Sequence, residues 1–180
     1  MNARLKLLSR RTIVSPALAM LALVAACSSG DSVTGPQTTG QFNAAVTGAV
    51  QTSLAGSAAL VPVAATVVDS VQVPQHVVLG LVDKGGVALV AFQWQGTTTV
   101  APGTYKIGQG TGDVAMVFDT GTGAAGGSFD GASGTIVING VTGGTATGTF
   151  TAAATAQDTG AQVTVSGSFT APTVSPSTSP

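Results

Sequence analysis

From Thr149 to Thr170 the chain alternates apolar and hydroxyl residues with a period of two. A strand points successive side chains to opposite faces, so such alternation marks strands with one face buried and one wet. Phe150, Ala152, Ala154 and Ala156 share one face of a first strand, and Val163, Val165, Gly167 and Phe169 share one face of a second. Thr149, Thr151, Thr164, Ser168 and Thr170 take the opposite face. With Thr159-Gly160 as a two-residue loop, Phe150 faces Phe169, Ala152 faces Gly167, Ala154 faces Val165 and Ala156 faces Val163. A slip of one residue would set Phe150 against Ser168, on the wrong face. The pattern predicts a hairpin in this register.

The same chemistry runs through the rest of the chain. All 25 glycines follow residue 27, among many Thr, Ser, Val and Ala residues, whereas Arg and Glu are absent there. This is the composition of strands and turns. Phe42 to Leu54 reads as one long half-buried strand bent at Gly48, and Leu60 to Asp69 as a second apolar run weakened by Pro62. His76–Val82 and Val87–Trp94 form a hairpin around Asp83-Lys84-Gly85-Gly86, apolar on both faces and therefore central. Thr104–Ile107, Asp113–Asp119 and Ser133–Asn139 complete the set. Gly-x-Phe recurs at 40, 127, 148 and 167, as a bend beside a core-filling ring and not as a repeat unit. The expected fold is a single all-β domain over residues 41–172, an antiparallel β-sandwich or a small β-barrel of eight to nine strands.

Ahead of that domain lies a different kind of sequence. Residues 1–11 carry Arg4, Lys6, Arg10 and Arg11 with no acid, and the run from 12 to 26 is apolar and ends in small residues. Crossing a bilayer needs about 20 apolar residues, and this run is shorter and interrupted by Pro16. A cleaved secretory signal over residues 1–26 is the expectation. Arg10-Arg11 leaves both the general and the twin-arginine export routes open. Leu23-Val24-Ala25-Ala26-Cys27 closes the leader, and Cys27 is the chain's one cysteine. Through these residues the chain resembles bacterial lipoprotein precursors. The resemblance implies cleavage before Cys27, a thioether from its sulfur to diacylglycerol, and a membrane anchor of acyl chains, with palmitate among them. It also implies a cell-envelope location, and Ser28 after the cysteine points to the outer membrane. Residues 27–40 then serve as a flexible tether and 173–180 as a disordered tail.

Without the leader, two lysines (Lys84 and Lys106) stand against seven aspartates, a net charge of −5. A nucleic-acid partner is excluded, because phosphates need a basic footprint. Catalytic chemistry finds little support. His76 is the only histidine, no Gly-x-Ser-x-Gly elbow accompanies it, and it is expected to be solvated at a strand mouth. The aspartates lie at turns and strand ends, as turn formers and not as a facing acid pair. Zinc lacks ligands, and Asp119 to Gly123 with Asp130 offers calcium only irregular oxygens without EF-hand spacing. The glycine-rich segment lacks the lysine of a phosphate loop. No catalytic, metal or cofactor residue is assigned.

Phe92, Trp94, Tyr105 and Phe118 are expected in the core, although Trp94 and Tyr105 could line a barrel mouth. The segments GTFTA, VSGSFTA and APGTYKIG resemble small uncharacterised secreted β-domains of bacteria, without functional residues to transfer. The expected role is a non-enzymatic structural or binding domain. The alternative is a lipocalin-like carrier of a small apolar ligand, and the partner is the membrane with, in addition, a protein or apolar small molecule.

Overall fold

The structure, a computed structural model, describes residues 40–68, 70–108, 114–121 and 127–174. The leader, Cys27 and most of the tether lie outside these residues. Eleven strands are present: β1 (Gly40–Gly48), β2 (Thr52–Val63), β3 (Thr66–Val68), β4 (Val71–Val73), β5 (His76–Asp83), β6 (Leu89–Gln95), β7 (Gly103–Ile107), β8 (Val114–Asp119), β9 (Ser128–Thr142), β10 (Thr145–Ala156) and β11 (Gln162–Pro172). Nine of them close a barrel in the order β1-β11-β10-β9-β7-β8-β6-β5-β2, and β3 and β4 form a separate hairpin. The barrel is found and the sandwich is not, because β1 pairs with β11 on one side and β2 on the other, leaving no edge. All barrel pairs are antiparallel except β7 with β8, where Ile107 lies beside Val114 in parallel.

The two ends of the barrel differ in pairing. At one end β8 pairs directly with β9 through Val117–Asp119 and Ser128–Asp130. Further along, β7 wedges between them and pairs Gly103–Ile107 with the 134–138 stretch of β9. The end where β8 meets β9 directly is called the narrow end, and the end where β7 is inserted beside β9 the wide end. Gly40, the β3–β4 hairpin, the 96–102 connection, the Gly143-Gly144 turn and Pro172 gather at the wide end. The turns at 49–51, 84–88 and 157–161, the end of β8 and the start of β9 gather at the narrow one.

The interior is filled by side chains from every barrel strand. Phe42, Leu79, Leu81, Val90, Phe92, Phe118, Ile136, Val165 and Phe169 are all buried in it. Phe92 on β6 and Phe150 on β10 belong to opposite walls, yet their ring centroids are 5.0 Å apart in an edge-to-face contact. Phe118 and Phe129 stack at 5.7 Å near the narrow end. Rings from facing walls meet across the lumen, as in a small barrel filled by its own side chains.

Two expectations about register are corrected. The expected long strand from Phe42 to Leu54 is a hairpin, in which Ala44 faces Leu54 across a turn at 49–51. Gly48, with φ of +107°, starts a reversal and not a bend. In the last hairpin Phe150 faces Gly167 and Phe169 faces Gly148, two residues away from the Phe150–Phe169 pairing. The loop is Gln157–Gly160, closed by the Ala156 and Gly160 amides donating to the Ala161 and Ala156 carbonyls, both at 2.9 Å. The faces are those expected, since a shift of two preserves them. In this hairpin the Gly-x-Phe segments at 148 and 167 each supply the glycine opposite the other's ring. A Cβ on Gly148 would lie 2.6 Å from Cζ of Phe169, so a side chain there competes with the ring. The Asp83–Gly86 hairpin forms as expected, with His76 facing Gln95 and Val82 facing Leu89.

Candidate functional site

Cys27, the one residue assigned a function by sequence, lies outside the described residues. The remaining candidates can be placed individually, and the barrel does not bring them together.

His76 begins β5 on the outer face, opposite Val63 and Gln95. It is 9 % exposed and so is buried, contrary to the solvated position expected of it. Its Nδ1 lies 2.9 Å from the carbonyl oxygen of Pro74, so Nδ1 carries the proton that is donated. No described hydroxyl nucleophile bonds to His76.

The described aspartates occupy the narrow end and are engaged in its turns. Asp83 accepts from the Ala55 amide at 3.2 Å and the Gly85 amide at 3.1 Å. These backbone donors, Gly85 foremost, hold its carboxyl below the usual carboxylate range. Asp119 accepts from the Gly121 amide at 2.7 Å, and Asp130 accepts from Nε2 of Gln157. Among the described residues no three potential metal ligands gather, and Thr122 and Gly123 of the candidate calcium segment lie outside them.

Trp94 and Tyr105 meet edge-to-face in the wide half, 5.8 Å between centroids at 89°. Trp94 is buried with the core, as expected, and Tyr105 packs against it half-buried. The Tyr105 hydroxyl donates to the Ala101 carbonyl at 2.7 Å, tying β7 to the preceding loop. The Trp94 indole nitrogen is the one buried side-chain polar atom without a hydrogen-bond acceptor among the described residues. The ring beside it is aromatic, which suits a contact between rings better than a polar ligand site.

Three surface features complete the inventory. A hollow of about 420 Å³ lies on the outer side of β1, β2 and β11, lined in part by Asn43, Ser53, Ser166 and Ser168. It is a shallow trough of small residues outside the barrel, with Ala45 and Ala55 between the serines. Round the wall, one outward row is apolar across four strands, Ala59, Gly80, Ala91 and Val117, while the next runs from Val61 and Val78 to Gln93. No charged residue interrupts these rows. Finally, Val67 and Val71 of the β3–β4 hairpin are each 63 % exposed, on opposite faces of a two-stranded arm.

Sequence reasoning missed that arm by reading Leu60–Asp69 as a single run. The signal was present in Ala64-Ala65 and in Asp69-Ser70, short polar or small interruptions between valine-rich pieces. Ser70 takes a φ of +68°, the left-handed turn position that a hairpin of this length demands.

No helix among the described residues is long and apolar enough to cross a membrane. The alternation in β10, apolar inward and threonine outward, is the reverse of a membrane-spanning barrel strand. No family model matches the chain, and neither a curated protein nor a solved structure matches it.

Proposed function

We propose that the chain is a lipid-anchored lipoprotein of the bacterial envelope whose barrel is a non-enzymatic structural or binding domain. The observation that carries this reading is the sequence Leu23–Cys27, with a basic and apolar leader before it and a polar, Gly- and Pro-containing segment after it. A closed barrel without free edges suits a domain crowded on a membrane, where exposed strand edges would pair between copies. The described carboxylates are bound up in turn geometry, and the lone histidine is buried against a proline carbonyl. These features support a binding or structural role over a catalytic one.

Expression of the full chain in a bacterial host tests the anchor. Mass analysis should find Cys27 as the amino terminus carrying diacylglycerol and an amide-linked acyl chain. Cys27→Ser should leave the precursor uncleaved and free of label from supplied palmitate. An unmodified thiol at Cys27 in membrane-extracted protein would overturn the reading. A hydrolase activity abolished by His76→Ala would overturn the non-enzymatic part.

The carrier reading shares the barrel and predicts lipid co-purifying with the protein, or Trp94 fluorescence quenched by a fatty ligand. The contact between Phe92 and Phe150 across the lumen weighs against it, since a ligand would have to part those rings.

A further inference from the structure

We propose that Asn139 is a modification site of the folded barrel, at which the chain itself converts the asparagine to aspartate and isoaspartate through a cyclic imide. The site is independent of the reading of Cys27 and of the barrel's role.

The reactive pair is visible in the sequence. After residue 27 the chain has two asparagines, Asn43 before Ala44 and Asn139 before Gly140. The nucleophile in imide formation is the backbone nitrogen of the following residue. A glycine there puts no Cβ in the way of its approach. Regular strands suppress the reaction, because a ladder fixes the backbone and keeps that nitrogen from swinging onto the side chain.

The ladder is broken at Asn139. On β10 Gly148 faces Ile138 and Thr147 faces Gly140, so Asn139 is the extra residue of a β-bulge with no partner of its own. On the other side β7 begins with Gly103 opposite Ile138, so Asn139 and Gly140 lie past the end of that strand. Asn139 is exposed. A Cβ at Gly140 would meet no atom within 4 Å, so no packed neighbour resists a local rotation there.

Two other places with related chemistry are held. Asn43 pairs with Ser168 on one side and Ala55 on the other, and Ala44 after it is buried in the core. Asp130-Gly131 would form the same imide by losing water. Asp130, however, pairs with Thr155 and Val117, and its carboxylate accepts from Gln157. A Cβ at Gly131 would lie 2.8 Å from that of Met116, so this glycine is packed where Gly140 is open.

The reaction balances with water as the one co-reactant. The Gly140 nitrogen gives its proton to base and bonds to Cγ of Asn139. The Cγ–Nδ2 bond breaks, and the side-chain nitrogen leaves as ammonia. Water then opens the five-membered ring at either carbonyl. One opening restores the main chain with an aspartate side chain. The other leaves the main chain running through the side-chain carbon, as isoaspartate. Either product adds a carboxylate to the outside of β9, and the longer main chain of isoaspartate falls where the ladder already carries an extra residue.

The test compares the two asparagines within one molecule. The full chain is incubated in mildly alkaline buffer, folded in one sample and unfolded in urea in another. Peptide mass mapping follows the amide-to-acid change at 43 and at 139, and the separation of aspartyl from isoaspartyl peptides follows residue 130. In urea both asparagines should react, Asn139 the faster. Folding should slow Asn43 by about a hundredfold or more, and Asn139 by less than about threefold, because a bulge opens far more readily than a core strand. In the folded protein Gly140→Ala should slow the reaction at 139 by about an order of magnitude, through the added Cβ alone. Asn139→Asp marks where the aspartate product elutes. Protection of Asn139 as strong as that of Asn43 would overturn the proposal, as would acid at 43 or isoaspartate at 130 accumulating as fast as product at 139.

Discussion

Two walls of the barrel share one interior and differ in what they show to the outside. On β10 every second residue from Ala146 to Ala156 is buried, while Thr149, Thr151 and Ala153 between them are exposed. On β5 His76 to Leu79 are buried in succession, on both faces. The inner rows of the two walls are equivalent, and Phe150 and Phe92 touch across the lumen. The difference lies in the outer rows, threonine on β10 and, on the other wall, the row Ala59, Gly80, Ala91 and Val117. A closed barrel needs only its inner face to be apolar, yet Ala91 in that outer row is buried, so part of this outer face is closed to water as well.

The sharpest test of this contrast sets one outward residue from each wall against the other. Ala91, outward on β6, is 2 % exposed. Ala91→Asp would place a carboxylate among Gly80, Val117 and their neighbours with no partner for its charge, and should cost about 2–4 kcal/mol. Thr151→Asp, on the exposed outer row of β10, should stay within about 0.5 kcal/mol. Urea unfolding of both variants measures the gap. Equal costs would show that the flank is no more closed to water than the threonine wall.

The inner faces should respond alike to crowding. A Cβ at Gly148 meets the Phe169 ring, so Gly148→Ala should destabilise by about 1–3 kcal/mol through overpacking. If the ring is the cause, Phe169→Leu should recover part of that loss in the double variant, a coupling visible in a double-mutant cycle. Strict additivity would place the strain in the backbone, where the Val137 carbonyl also crowds the position.

These walls also explain what could be read in the sequence. The alternation of Phe150 to Ala156 against Val163 to Phe169 gave the correct faces and the wrong partners, because amphipathy specifies register only to the nearest even number. The choice between pairings two apart falls to the turn and to volume. A four-residue loop replaces the expected two, and a glycine sits opposite each ring where two rings were expected to meet. In β5 and β6, by contrast, there is no alternation to read, yet Asp83-Lys84-Gly85-Gly86 located the hairpin because its chemistry admits only a turn. Phe42 to Leu54 misled for a related reason. Its period of two continues through the turn, since Val50 is half-buried on the side that a single strand would have predicted. Closure was legible only as one of two expected outcomes, because the pairing of β1 with β11 joins strands from opposite ends of the domain, and the insertion of the five-residue β7 between β8 and β9 leaves no period of its own to read. Of the candidate sites, the Asp turns were legible as turns, whereas the burial of His76 was not, since it comes from the strands on either side.

The turns themselves offer a smaller effect with a pH signature. Asp83→Asn removes the charge-assisted acceptance from Gly85 and Ala55 and should cost about 1 kcal/mol at neutral pH. The folded-state pKa of Asp83 is depressed, so its contribution is complete above the ordinary carboxylate pKa of about 3.9 and fades as pH falls through the lower folded value. The stability of the parent should therefore decline on acidification below about pH 4, and the difference between parent and Asp83→Asn should shrink with it. Unfolding at neutral and acid pH reads this directly. A difference independent of pH would assign the role to shape and not to charge.

The least of the expected effects compares the turns of the two walls with one another. Gly86 in the β5–β6 turn has φ of +65°, and Gly160 in the β10–β11 turn has φ of +69°. A Cβ at either would meet no atom within 4 Å, so substitution is opposed by backbone conformation alone. Gly86→Ala and Gly160→Ala should each cost about 1 kcal/mol, and asparagine, which tolerates the left-handed region, should cost less at both. Equal penalties would mean that the turns act alike and that the walls differ only in their outer rows. A clearly larger penalty at Gly86 would show instead that the wall lacking alternation leans on its turn for register, while the alternating wall is held in place by its faces.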